Sequence, residues 1–170
     1  EIDNAILDIK DKKYRITDIS SKVVNRNPSG PFTTSTLQQV ASSRLGFGAS
    51  RTMQIAQKLY QGIEIDGETI GLITYMRTDG TNLSADAISD FRNFIKNKYG
   101  KEYLPENPLN YSGKKAKNAQ EAHEAIRPAG SRFIEPSKLR DSLSEVEYKL
   151  YDLIWKRTVA SQMKSAQIEQ

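Results

Sequence analysis

The sequence predicts a mainly α protein, α+β overall, with a helical domain containing a helix-turn-helix-like unit and short β-strand segments at both ends. Three observations predict it. Apolar residues recur every three or four positions in four long stretches, glycine or a capping hydroxyl punctuates those stretches, and both termini alternate instead. In the first thirty residues Tyr14 and Ile16 alternate with charged neighbours, which predicts strands, although Asp18 interrupts the alternation. Asn25-Arg26-Asn27-Pro28-Ser29-Gly30-Pro31 then breaks the chain and marks a domain entry. A helix is expected from Thr34 or Ser35, with Leu37, Val40, Ala41 and Leu45 on one face and Gly46 as its stop. After Phe47-Gly48-Ala49, Ser50 is the expected cap of a second helix that turns Ile55, Ala56 and Leu59 inward and ends near Gly62. Two helices across so short a turn resemble a helix-turn-helix unit, which is also a plain packing motif.

Asp66-Gly67 between β-branched runs predicts a hairpin within residues 63–74. A third helix is expected from Ser84 to Gly100, with Leu83 and Ile88 as a hydrophobic staple. Residues 101–118 read as a loop with Pro105, Pro108 and the basic run Lys114-Lys115-Ala116-Lys117. Such a run is most simply a solvated loop, and its functional alternative is contact with a polyanion. The capping box Ser144-x-x-Glu147 opens a last long helix that buries Val146, Leu150, Leu153, Ile154 and Trp155 in part. Lys164 to Gln170 alternates weakly and is expected to return as a strand.

Composition bounds the function. The 170 residues suit one domain, or one domain with borrowed edges, and 37% hydrophobic residues can bury a core. No cysteine is present, which excludes disulfides and thiolate metal sites, and a single histidine excludes a histidine cluster. No apolar stretch approaches the ~18 residues of a membrane span, so no membrane partner is expected. The first residues carry no charged-then-apolar leader, and the sequence begins at Glu1 rather than Met. A net charge of +4 and a pI near 9.2 suit a polyanionic partner and suit a mildly basic soluble protein nearly as well.

Chemistry concentrates in Ile73-Thr74-Tyr75-Met76-Arg77-Thr78-Asp79. On an extended backbone, residues two apart point the same way, so Tyr75 and Arg77 share a face. A free phenol has a pKa near ~10 and is a poor nucleophile at neutral pH. A fixed guanidinium beside a phenol favours its ionised form and can also hold a phosphate for attack. This spacing suits a tyrosine that attacks a phosphodiester. The simpler alternative is that Tyr75, one of eight tyrosines, packs in a core. A second cluster, Gln120-Glu121-Ala122-His123-Glu124-Ala125-Ile126-Arg127-Pro128, contains the only histidine. On a helix His123 and Arg127 would share a face and offer a titratable group and a cation to a phosphate. The simpler alternative is a surface helix with Glu124 and Arg127 solvated.

Together these two segments closely resemble the tyrosine-bearing domain of the type IA DNA topoisomerases, and most closely the bacterial topoisomerase I branch. Further matches are Pro31 through Gln39, Arg51-Thr52-Met53, Gln57 through Tyr60, and Ile154-Trp155-Lys156-Arg157. They occur in the family's order from about Pro31 to Met163, most of the chain. Met76 stands where topoisomerase III-like relatives commonly have Pro, and Gly80 stands where many relatives have Ser.

The resemblance implies a division into residues 1–29, a strand segment of a neighbouring arch domain, residues 30–163, the catalytic-tyrosine domain, and residues 164–170, a return strand. It implies that Tyr75 attacks one DNA strand, joining itself to the 5′ phosphate and freeing a 3′ hydroxyl. Arg77 matches the arginine that binds the scissile phosphate, and His123 matches a histidine near the strand. Thr78, Asp79 and Arg127 fall in matching motifs as supporting DNA contacts, with Lys114, Lys115 and Lys117 as further candidates. The implied partners are single-stranded DNA, negatively supercoiled DNA and other domains of the same polypeptide, in the cytoplasm at the nucleoid. The family's Mg2+ is held by a separate domain with an Asp-x-Asp cluster and a distant Glu. Asp8-Ile9-Lys10-Asp11 does not fit that cluster, so no metal ligand is assigned here and the 170 residues alone are expected to be a poor catalyst. Two rivals remain. One is a non-catalytic helix-turn-helix DNA-binding module with Tyr75 in its core. The other is a tyrosine recombinase or type IB enzyme, which places its tyrosine after the Arg and His cluster, whereas Tyr75 precedes His123.

Overall fold

A computed structural model describes residues 2–10, 12–111, 124–130 and 133–170. The chain divides into two compact units, Glu1–Arg26 with Ala166–Gln170 and Asn27–Ser165.

In the first unit, helix α1 (Ile2–Lys10) is followed by irregular chain and strand β1 (Val23–Arg26). β1 pairs antiparallel with β4 (Ala166–Glu169), with Val24 opposite Ile168 and Asn25 opposite Gln167. Lys22 and Gln170 exchange backbone hydrogen bonds of 2.8 and 3.0 Å and extend the ribbon by one pair. The expected return strand is thus present. The expectation of strands through the first thirty residues is corrected, because Ile2–Lys10 is helical and only Val23–Arg26 is a strand. Ile2, Ile6 and Ile9 stand at helical spacing, and Asp3 in the first turn and Lys10 in the last complement the helix dipole. The Tyr14 and Ile16 alternation has no partner strand among the described residues, and the Tyr14 hydroxyl donates to the Ile9 carbonyl at 2.7 Å.

The second unit holds the core. Helix α2 (Thr34–Leu45) starts at a capping box in which Thr33 and Thr36 satisfy each other's backbone N–H groups. It ends at Gly46, whose φ of 68° is left-handed, the conformation that glycine adopts without penalty. Helix α3 (Ala49–Gln61) begins earlier than a Ser50 cap would allow. Gly48 is the cap, because the N–H and the hydroxyl of Thr52 both reach its carbonyl, at 2.9 and 3.1 Å. Strands β2 (Ile63–Ile65) and β3 (Glu68–Ile70) form the expected hairpin, and Asp66 and Gly67 both take positive φ, as a type I′ turn requires.

Helix α4 (Ala85–Lys98) is capped by the Ser84 hydroxyl and buries Ala87, Phe91 and Ile95, one residue per turn. Helix α5 (Glu145–Ala160) starts where the Glu147 carboxylate reaches back to the Ser144 N–H at 2.9 Å. It buries Leu150, Tyr151, Leu153, Ile154, Trp155, Thr158 and Val159, because α2, α3 and α4 all pack against it. Each such apolar side chain contributes about 1.5–3 kcal/mol on burial. No helix among the described residues is long and apolar enough to cross a membrane.

Candidate strand-cleavage site

Three extended segments meet beside α2 and carry the candidate site. They are Phe32–Thr33, Leu72–Thr78 and Glu124–Ala129, joined by the bridges Phe32 to Ile126 and Ile73 to Pro128. A further bridge ties Asn82 to Glu124. Regular ladders do not hold this assembly. Threonine hydroxyls do much of the work, standing in for backbone groups where the strands bend.

Thr34 secures one side. Its N–H donates to the Thr78 carbonyl at 2.9 Å, its hydroxyl donates to the Met76 carbonyl at 2.7 Å, and the Thr78 N–H donates back to that hydroxyl at 2.9 Å. Thr74 secures the other. Its N–H donates to the Arg127 carbonyl at 2.9 Å, its hydroxyl donates to the Ala125 carbonyl at 2.7 Å, and it accepts from the Arg127 N–H at 3.0 Å. The segment is also fixed to α3, where the Leu72 N–H donates to the Leu59 carbonyl at 2.7 Å. Gly71 is required there, since a Cβ would stand 2.8 Å from the Tyr60 carbonyl oxygen.

Held in this way, the segment alternates. This alternation begins at Tyr75, where Met76 and Thr78 are buried and Tyr75, Arg77 and Asp79 are exposed, whereas Leu72 and Ile73 before it are both buried. Tyr75 is 47% exposed, which removes the reading of it as a core residue. Its ring meets Tyr60 of α3 edge to face, with centroids 5.3 Å apart at 63°. Arg77 forms no ion pair with any described residue. With Thr78, Asp79, Thr33, Thr34 and Ser35 it lines an open groove at the start of α2. An exposed phenol and, two residues on, an exposed guanidinium without an ion-pair partner among the described residues can present a nucleophile and an anion-binding fork to a phosphodiester.

The other candidates are placed differently. The Thr78 hydroxyl accepts from the Gly80 N–H at 2.9 Å, which orders the turn after the motif. Arg127 does not stand on a helix. Residues 124–128 form isolated bridges, because pairing to Phe32, Ile73 and Asn82 competes with the helix and Pro128 disfavours helical backbone at Arg127. Nor are Glu124 and Arg127 solvated. Arg127 donates to both Glu124 oxygens, at 2.8 and 2.9 Å, and to the Pro128 carbonyl at 2.9 Å, and its side chain is 13% exposed. Glu124 also accepts from the Ser84 N–H at 2.8 Å. Burial pushes the Glu124 carboxyl up, but the hydrogen bonds from Arg127 and Ser84 outweigh it and leave the pKa below its ordinary value. His123, Lys114, Lys115 and Lys117 lie outside the described residues. Among those described, no three histidine, cysteine, aspartate or glutamate side chains converge as metal ligands.

Comparison with known proteins shows the family. The family model described as DNA topoisomerase matches residues 1–170. DNA topoisomerase 1 of Rickettsia felis is 54% identical over 157 residues, 92% of this chain and 20% of that protein. The same-named protein of Streptomyces coelicolor is 52% identical over 158 residues, 93% of this chain and 15% of that one. Full-length topoisomerase I from Thermotoga maritima superposes with a TM-score of 0.74 at 45% identity, covering 88% of this chain and 23% of that structure. The chain thus spans about a fifth of the length of such relatives. It belongs to the type IA DNA topoisomerase family.

Proposed function

We propose that this chain carries the strand-cleaving tyrosine of a longer topoisomerase that relaxes negatively supercoiled DNA. The Tyr75 oxygen attacks a backbone phosphorus of one DNA strand, forming a 5′-phosphotyrosyl ester. The phosphorus–O3′ bond breaks, the 3′ oxygen leaves as a hydroxyl once protonated, and the phenolic proton is given up. Arg77 holds the non-bridging oxygens and stabilises the charge that grows on them. Another DNA segment passes the gap, and attack by the 3′ hydroxyl then reverses the ester without an energy-supplying cofactor. The observation that carries this reading is that Tyr75 and Arg77 are both exposed on either side of buried Met76.

Thr34 and Thr74 tie that segment to its neighbours, and the Arg127–Glu124 pair braces the adjoining one. His123, Asp79 and the Lys114 to Lys117 run are assigned to the strand's surroundings by family resemblance. By family resemblance, the metal half of the reaction is assigned to acidic residues outside this chain. The helix-turn-helix rival predicts tight, sequence-specific duplex binding and a dispensable Tyr75. Titrating labelled single-stranded and duplex oligonucleotides separates the two. Preference for the single strand supports the strand-passage reading, and tight duplex selectivity contradicts it.

A further inference from the structure

Away from Tyr75, one cation in the second unit is bound in an unusual way. Arg157, in the last turns of α5, lies over the Phe32 ring with its guanidinium carbon 4.5 Å from the ring centroid. The ring beneath it is almost wholly buried, while Arg157 itself stays partly exposed. Its Nε is buried, and among the described residues it has no hydrogen-bond partner and no carboxylate pairs with the side chain. The sequence explains why. Residues three and four away are Leu153, Ile154 and Ala160 on α5 and Ser161 just after it, none of them acidic, whereas its neighbour Lys156 has Asp152 at 2.6 Å.

A second arginine aggravates the imbalance. Burial first, and then the charge of Arg44 at the end of α2, hold the Arg157 pKa below its ordinary value, with Tyr111 acting the other way. Arg44 likewise has no acidic residue three or four positions away, and no described carboxylate pairs with it. The Tyr111 hydroxyl is tied to the Pro28 and Ser161 carbonyls, at 3.1 and 3.0 Å, and does not neutralise the pair. α2 packs against α5, and there the partly buried Arg157 and the exposed Arg44 have no described anion to balance them, which leaves charge and hydrogen-bond donors unsatisfied.

We propose that Arg157 and Arg44 form a second phosphate seat, which holds a backbone phosphate of single-stranded DNA apart from the one at Tyr75. A guanidinium fork matches two phosphodiester oxygens, and aromatic support from Phe32 holds the fork in place. Phe32 directly precedes Thr33 to Ser35, which line the Arg77 groove, so one stretch of backbone links seat and groove. This inference rests on the DNA reading above but not on Tyr75 as nucleophile.

The test is binding of a fluorescent single-stranded oligonucleotide to the 170-residue chain across a series of salt concentrations. Loss of one phosphate contact should weaken binding severalfold at low salt and reduce the log–log salt slope by ~0.7. Arg157→Gln and Arg44→Gln should each show this. Arg157→Lys, which keeps the charge and loses the fork, should fall between. If Arg157→Gln proves unfolded, the exposed Arg44→Gln decides the matter. An unchanged slope in a folded variant overturns the seat and leaves the Tyr75 assignment untouched. Failure of the unsubstituted chain to bind single strands also overturns it, while covalent adduct formation tests Tyr75 separately.

Discussion

At the scale of single residues, the site separates groups that face outward from groups that hold them. Arg77 is exposed and faces the groove, so Arg77→Ala should leave the melting temperature nearly unchanged. In the longer enzyme the same change should slow cleavage about a hundredfold or more, and Arg77→Lys should recover only part of the loss. Single-turnover cleavage and thermal melting check the two halves. Glu124 should behave in the opposite way. Glu124→Gln breaks a bidentate pair to a mostly buried arginine and should cost about 1–3 kcal/mol at pH 7. Because the folded-state pKa of Glu124 is lowered, its contribution is complete above the unfolded value and is lost as pH falls through the folded one. Melting curves of the two proteins should therefore converge below about pH 4.3, the ordinary glutamate value. Tyr75 and Arg77 were legible in the sequence because alternation is a local property. The Arg127 partner was not, because it depends on a backbone that local spacing mistook for a helix.

At the scale of elements, the helices of the second unit follow from the periodicity of their own residues. Leu37 and Ala41, Phe91 and Ile95, and Leu150 and Ile154 each stand four apart and are buried. Gly46 marks its helix end for a reason that can be measured. Nothing lies within 4 Å of the position a Cβ would take, so Gly46→Ala meets no clash and bears only the left-handed backbone penalty. It should lower stability by about 1 kcal/mol, read by denaturant titration. The extended segments around Tyr75 were less legible, since they are tied by pairs far apart in sequence, such as Thr34 with Thr78 and Thr74 with Arg127. The hydroxyl-rich run Thr33-Thr34-Ser35-Thr36 was the available signal. Thr34→Val removes an acceptor for the Thr78 N–H and a donor to the Met76 carbonyl. It should cost about 1–3 kcal/mol by melting. In the longer enzyme it should also slow cleavage, although Thr34 takes no part in the chemistry. At the other end of the chain, Tyr14 and Ile16 suggested a strand where the chain runs irregularly between α1 and β1, because alternation without a partner strand has nothing to pair with.

At the scale of the whole molecule, the two units differ in what stabilises them. Asn27–Ser165 encloses the apolar core, whereas α1 has no buried residue and the β1–β4 ribbon has only two strands, a marginal structure in water. Limited trypsin digestion of the folded chain should cut first at the exposed Lys12, Lys13, Arg15 or Lys22, and equal rates of cutting within α5 would contradict this account. Membership of the family was legible from motifs spread along the chain, and their common geometry became visible only when three distant segments met beside α2. The central claim is that the Tyr75 hydroxyl forms the bond to DNA. Its most direct measurement traps the covalent complex of the longer enzyme on a single-stranded oligonucleotide and locates the nucleotide-bearing peptide by mass spectrometry. The account predicts the modification on Tyr75 and no adduct from a normally folded Tyr75→Phe enzyme, whereas an adduct on another residue, or one that survives this substitution, would contradict it.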